Sequence, residues 1–188
     1  MRLFLSEFIC SGALAGSDLP PSLAREGRAM RDALATDLAA LADVEVVTTS
    51  DPRIPPPIAG TSIEAASPAA ERRLFDRLCS ECDAVYVIAP ELEGELTERC
   101  RRAAALNPRP LNSAPSAIDL CGDKFALAEQ LQTQGLLTAP TTAVTDIFNV
   151  EQFVREWLIR YGGVVVKPRC GAGSQSTWLC RSWDETRR

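Results

Sequence analysis

At 188 residues, 46% hydrophobic and 24% charged, with a mean hydropathy of −0.04, the chain has ordinary globular composition and length for one large or two small domains. A formal net charge of −5 excludes a basic field for wrapping a nucleic-acid backbone, and no apolar run approaches the ~18 residues needed to cross a bilayer. His is absent, which excludes a Ser-His-Asp triad, a Cys-His dyad and a His-ligated zinc site within this sequence.

Residues 2–9, rich in Leu, Phe and Ile, read as a buried first strand, too short in its apolar part and too acidic at Glu7 for a signal peptide. The loop Cys10 to Asp18 contains Gly12 and Gly16 but no G-x-G-x-x-G, so it reads as a flexible turn. Ser22 caps a helix predicted to run to about Leu41, with Leu23, Met30, Leu34, Leu38 and Leu41 at helical spacing. Val44 to Thr49 is a β-branched strand. Pro52, Pro55, Pro56, Pro57 and Gly60 mark a surface loop. A helix follows from Pro68 to about Cys79, with Pro68 in its first turn. Ala84 to Ala89 is a continuous apolar run of the kind buried on both faces of a parallel sheet. Leu92 to Leu106 is helical again, and Arg109 to Asn112 adds a short strand.

Alternating strands and helices predict a doubly wound α/β domain over residues 1–114, with right-handed crossovers. Ligands in such sheets sit beyond the carboxyl ends of the strands. That places Glu7 and Glu91 toward a crevice, as candidate substrate contacts beside the plainer roles of solvated or capping carboxylates.

The pattern changes over 115–188, which reads as a second, small α+β domain. A loop and helix span Asp119 to Gly135. Ala139 to Val144 forms a short edge strand. Asn149 caps a helix from Val150 to Tyr161. Val164 to Pro168 is a strand, and a small polar loop, Arg169 to Ser176, leads into a last strand, Thr177 to Cys180. The seven Cys are an odd number scattered through apolar contexts, which points to reduced thiols and a cytoplasmic setting. Cys79-x-x-Cys82 has the spacing of a redox or metal pair, but no second pair stands at ligand spacing.

The basic residues are 18 Arg and only two Lys, Lys124 and Lys167. An ammonium is a compact point charge, and a planar guanidinium cannot take its place in a confined site beside a phosphate. Lys167 ends a buried strand and is followed at once by Arg169, Cys170, Gly171, Ala172, Gly173 and Ser174. The glycines let backbone N–H groups approach an anion, and Ser174 adds a hydroxyl. The order is not that of a Walker A loop, because the Lys precedes the glycines and a strand follows. Taken alone, the stretch reads equally well as an ordinary Gly-rich hairpin.

Together these segments resemble the ATP-grasp superfamily of ATP-dependent carboxylate ligases. The resemblance rests on Asp123-Lys124 at a helix start, the turn Leu137 to Thr141, the strand Val164 to Pro168 and the lid-like loop Arg169 to Thr177. The front half, with Ser6-Glu7-Phe8, Ser22 to Gly27, Ile88 to Leu96 and Leu111-Asn112-Ser113, is similar to the Rossmann-like domain that precedes ATP-grasp modules, most like tyramine–glutamate and D-alanine–D-alanine ligases. The resemblance implies a reaction joining a carboxylate to an amine through an acyl phosphate, with ATP and Mg²⁺. It implies that Lys124 and Lys167 contact ATP phosphates, Lys167 also toward the adenine side, with Arg169, Gly171, Ala172, Gly173 and Ser174 in the lid.

A complete enzyme of that superfamily clamps ATP between two lobes, the second carrying the carboxylates and Asn that hold Mg²⁺. The sequence ends in a polar run, Trp183 to Arg188. The expectation is therefore a first lobe with the second missing and no metal ligands: a chain that binds ATP weakly, does not turn over alone, and leaves an apolar lobe face for self-association or a partner. Two other readings stay open. One is a non-catalytic α/β module that binds a small molecule or subunit; the other is an unrelated α/β domain whose two Lys coincide by chance.

Overall fold

The computed structural model describes residues 1–91, 94–144, 147–171 and 176–187, without the side chains of 147–149. The chain divides into two compact units. One comprises residues 1–90 with 94–118, and the other comprises residues 91–93 with 119–188. The division falls inside a helix, a few residues beyond the change of pattern in the sequence.

The first unit is a mixed α/β layer structure. Its strands are β1 (Arg2–Glu7), β2 (Glu45–Ser50), β3 (Thr61–Glu64) and β4 (Ala84–Ile88), and its sheet has the order β3-β2-β1-β4 with every pairing parallel. The chain thus starts in the interior of its own sheet, which explains the unbroken apolar character of Leu3, Phe4 and Leu5, all buried. Each such side chain contributes ~1.5–3 kcal/mol on leaving water. Helix α1 (Pro21–Ala39) covers one face, where Leu3, Leu5, Ala35, Val46 and Ala84 form a core with Leu34 and Leu38 against it. Helices α2 (Pro68–Glu81) and α3 (Glu95–Leu106) cover the other, packing Phe75, Leu78, Cys79, Cys100 and Ala103 around Phe4, Val47, Val85 and Val87.

Several expectations change on contact with the packing. The loop after β1 is not a loose turn: Ile9, Cys10, Ser11 and Gly12 are buried, and Gly12 adopts φ +97° where a Cβ would stand 2.3 Å from the Ala65 carbonyl oxygen. Helix α1 is not entered through a Ser22 side-chain cap; Pro20 is the cap position and Pro21 opens the first turn. Its buried row is Gly27, Arg31 and Ala35, while Met30 and Leu41 are exposed. Gly27 and Ala35 are small and let α1 lie close to the sheet; of the apolar stripe read from the spacing, Leu34 and Leu38 pack against this core and Met30 and Leu41 do not. The Pro-rich loop carries buried Asp51 and Ile54 and leads into β3, a strand too polar to stand out. Residues 109–112 form no strand; a single bridge joins Val85 to Pro110, and the Asn112 side chain pairs with the Val87 backbone instead.

In the second unit the segment 119–135 contains two helices rather than one. Helix α4 (Pro115–Gly122) ends and α5 (Lys124–Thr133) starts on either side of Asp123. No strand forms among the described residues of 139–144. Helix α6 (Ile147–Tyr161) starts before Asn149, which therefore is not its cap. Strands β5 (Val164–Val166) and β6 (Trp178–Cys180) pair antiparallel, and helix α7 (Trp183–Thr186) is capped by the Ser182 side chain. Val164 and Cys180 face a core with Val154, Trp157, Leu158 and Trp183, whereas the cross-strand pair Val165 and Leu179 is exposed. No helix among the described residues is long and apolar enough to cross a membrane.

Candidate functional site

Asp123 has an extended backbone, and its carboxylate accepts the N–H groups of Phe125 and Ala126, both at 3.1 Å, which starts α5 cleanly. Lys124 is therefore the first residue of a helix, in the turn whose backbone carries partial positive charge. Its N–H donates to the Arg169 carbonyl at 3.0 Å, and its Nζ donates to the Gly171 carbonyl at 2.7 Å. The start of α5 and the segment after β5 are thus held together through both backbone and side chain.

Arg169 closes the same contact from the other side. Its Nε lies 2.8 and 2.7 Å from the two Asp123 oxygens, and one Nη is 2.6 Å from Oδ2. The guanidinium sits 5.5 Å from the centroid of the Phe125 ring. The Arg169 hydrogen bonds, with help from the Ala126 N–H, hold the Asp123 carboxyl down to about 2.

Lys167 directly follows the β5 strand end, exposed, and its ammonium has no hydrogen-bond or ion-pair partner among the described residues. It stands two residues before Arg169, whose carbonyl receives the Lys124 N–H, so the two Lys occupy adjoining segments of one unit. Gly171 adopts φ +114°, a conformation that favours glycine, with nothing near its missing Cβ. Ala172, Gly173 and Ser174 lie outside the described residues.

Glu91 belongs to this unit as well. It is half-buried, and burial, then the charge of Asp119, pushes its carboxyl upward against the opposing pull of Lys124. Gly122 admits it closely: a Cβ there would lie 3.1 Å from Glu91 Oε2. Asp119 and Gly122 carry no signal in the sequence that marks them for this site. An Asp immediately before a helix is a signal for a cap, but nothing in the sequence pairs it with Arg169.

Glu7 lies in the other unit at the carboxyl end of β1, and it faces inward. It is 3% exposed and accepts the N–H groups of Ile9 at 3.2 Å and Cys10 at 2.7 Å, with Gly27 of α1 against it. Burial raises its pKa despite those bonds and the nearby charge of Arg31. Arg31 is itself fully buried, donating to Asp32 and the Pro55 carbonyl. These groups fix the loops at that end of the sheet.

Residues 44–118, from β2 into α4, match the family described as the pre ATP-grasp 3 domain. That match ends at Ile118, where the first compact unit ends. Over 97% of its length the chain superposes on a structure described as a putative ATP-grasp superfamily protein from Archaeoglobus fulgidus, with a TM-score of 0.66, 21% identity and 53% of that chain covered. It also matches N5-carboxyaminoimidazole ribonucleotide synthetase from Thermotoga maritima, with a TM-score of 0.56, 16% identity, and 97% of this chain and 41% of that one covered. For the synthetase of the same description from Thermus thermophilus the TM-score is 0.53 at 20% identity, with 100% of this chain and 42% of that one covered. No curated protein matches the chain. The fold is thus the α/β fold of ATP-grasp superfamily proteins, and the chain spans about half the length of the first of these structures and less of the others.

Proposed function

We propose that this chain supplies an ATP-binding portion of a ligase that joins a carboxylate to an amine through an acyl phosphate. The single observation that carries the reading is the seam between α5 and the segment after β5. There Lys124 bonds to the Arg169 and Gly171 carbonyls, and the other Lys of the sequence stands at the adjoining strand end. Lys124 and Lys167 are assigned to the phosphates, Lys167 also toward the adenine side. Gly171, Gly173 and Ser174 are assigned to the same phosphates. Glu91, beside Lys124, is the candidate for a substrate contact. The front-half resemblance to tyramine–glutamate and D-alanine–D-alanine ligases makes an amino acid the substrate class to try first.

Among the described residues no three His, Cys, Asp or Glu side chains gather to hold a metal ion. Mg²⁺ is expected with a full-length relative, and none of the residues named here is proposed to hold it. Two charge-assisted Lys–phosphate contacts contribute ~1.5–3 kcal/mol each, against an association cost of ~4–15 kcal/mol. Together the two contacts do not clearly exceed that cost, so binding no tighter than the millimolar range, about −4 kcal/mol, is expected.

Isothermal titration or equilibrium dialysis with ATP tests this. The chain binds ATP, and Lys124→Met and Lys167→Met each weaken binding about tenfold or more. Unchanged affinity in both variants would remove the assignment.

A further inference from the structure

Arg169 sits in the stretch assigned to the anion, yet its guanidinium is already engaged. Asp123 takes its Nε and one Nη, and the ring of Phe125 lies beneath it at 5.5 Å. Three consecutive residues at the start of α5 therefore grip residues 169–171: Asp123 by its carboxylate, Lys124 by its N–H and Nζ, and Phe125 by its ring. A guanidinium fork matched to a carboxylate in this way keeps little pull for a second anion. Lys124 is differently placed. An ammonium has three donors, and the Gly171 carbonyl takes one of them.

We propose that Arg169 is a positioning residue: paired with Asp123, it fixes the backbone of residues 169–171 against the first turn of α5 and so aims the Lys124 ammonium at a triphosphate oxygen, without itself touching the triphosphate. This rests on the assignment of Lys124 to phosphate. Asp123 serves both sides of the device, because the same carboxylate that caps α5 holds the Arg169 fork.

The test has two arms. In the ligand-free protein, the Asp123 carboxyl is titrated by carbon NMR in the wild type and in Arg169→Gln. The wild-type carboxyl titrates at about 2, and the variant moves it toward the ordinary 3.8. An unmoved Asp123 would overturn the latch whether or not nucleotide binds. In the second arm, inorganic triphosphate is titrated into the wild type, Asp123→Asn, Arg169→Gln and the double variant. Asn keeps an oxygen for the helix cap and loses the charge. Each single change weakens binding about threefold, as for an exposed ion pair, and the double change adds nothing, because both remove one interaction. Weaker binding in Arg169→Gln with unchanged or tighter binding in Asp123→Asn would make Arg169 a direct ligand and overturn the proposal. If the wild type does not take up triphosphate, the aiming role falls together with the phosphate assignment, while the ligand-free titration still reports on the Asp123–Arg169 contact.

Discussion

Gly27 and Glu7 approach more closely than any other residue at position 27 would allow: a Cβ there would lie 2.8 Å from Glu7 Oε2 and 3.0 Å from Oε1. The carboxylate cannot swing aside freely, because the N–H groups of Ile9 and Cys10 hold it. Gly27→Ala gains up to ~1 kcal/mol of helix propensity and meets an overpacking cost of ~1–3 kcal/mol. Net destabilisation in urea is expected; an Ala variant more stable than the wild type would show that α1 has room to spare.

The same carboxylate sets a pH dependence. Its folded pKa lies above the ordinary value of 4.5 because burial disfavours the charge. Below 4.5 the folded and unfolded chains are both protonated at this site. Between 4.5 and the raised value the folded chain keeps a proton the unfolded chain has lost, so the Glu7 contribution to stability falls as pH rises through that window. Glu7→Gln, which does not ionise, removes this slope from a plot of urea midpoint against pH. A slope of unchanged size in the variant would place the titration elsewhere.

Arg99 joins α3 to α2 through buried Glu71, with Nη1 at 2.8 Å and Nη2 at 3.0 Å from its two oxygens, and lies over the Phe8 and Phe75 rings at 4.6 and 5.1 Å. Arg99→Met leaves the Glu71 charge buried and unmatched, at a cost of ~3–5 kcal/mol. Adding Glu71→Gln recovers a large part of the loss. Chemical denaturation of the two variants checks both statements, and a double variant no more stable than Arg99→Met would contradict them.

Thiol reactivity separates the cysteines. Cys10, Cys79, Cys82, Cys100 and Cys180 are buried, and Cys121 and Cys170 are exposed. Burial pushes the Cys79 thiol up to about 12, leaving almost no thiolate at neutral pH. Ellman's reagent should therefore modify two of the seven thiols in the native protein and the rest only on unfolding. Rapid modification of Cys79 or Cys82 would revive the redox or metal reading of the C-x-x-C spacing.

These tests touch places where sequence and structure part company in an instructive way. The strands β1, β2 and β4 were legible because their segments run apolar or β-branched and pack between helices, in β4 at the sheet edge as in β1 and β2 inside it. Edge strand β3 escaped because Thr61, Ser62 and Glu64 show no such run. The buried row of α1 was only partly legible: Leu34 and Leu38 of the apolar stripe pack against the core, but Gly27 and Ala35 are buried for their smallness and Arg31 through its bonds to Asp32 and the Pro55 carbonyl. At the candidate site Lys124 and Lys167 stood out by their rarity among 18 Arg. The Asp123–Arg169 pair did not, since no local pattern reveals a partner 46 positions away.

The rarity of lysine also supplies the most direct test. With two Lys in the chain, each side-chain nitrogen gives a resolvable NMR signal, assignable through Lys124→Arg and Lys167→Arg. Titrating MgATP while following both signals reads the two ammonium groups separately. Both should shift along one saturation curve with one dissociation constant; a shift confined to one Lys, or to neither, would contradict a shared triphosphate site.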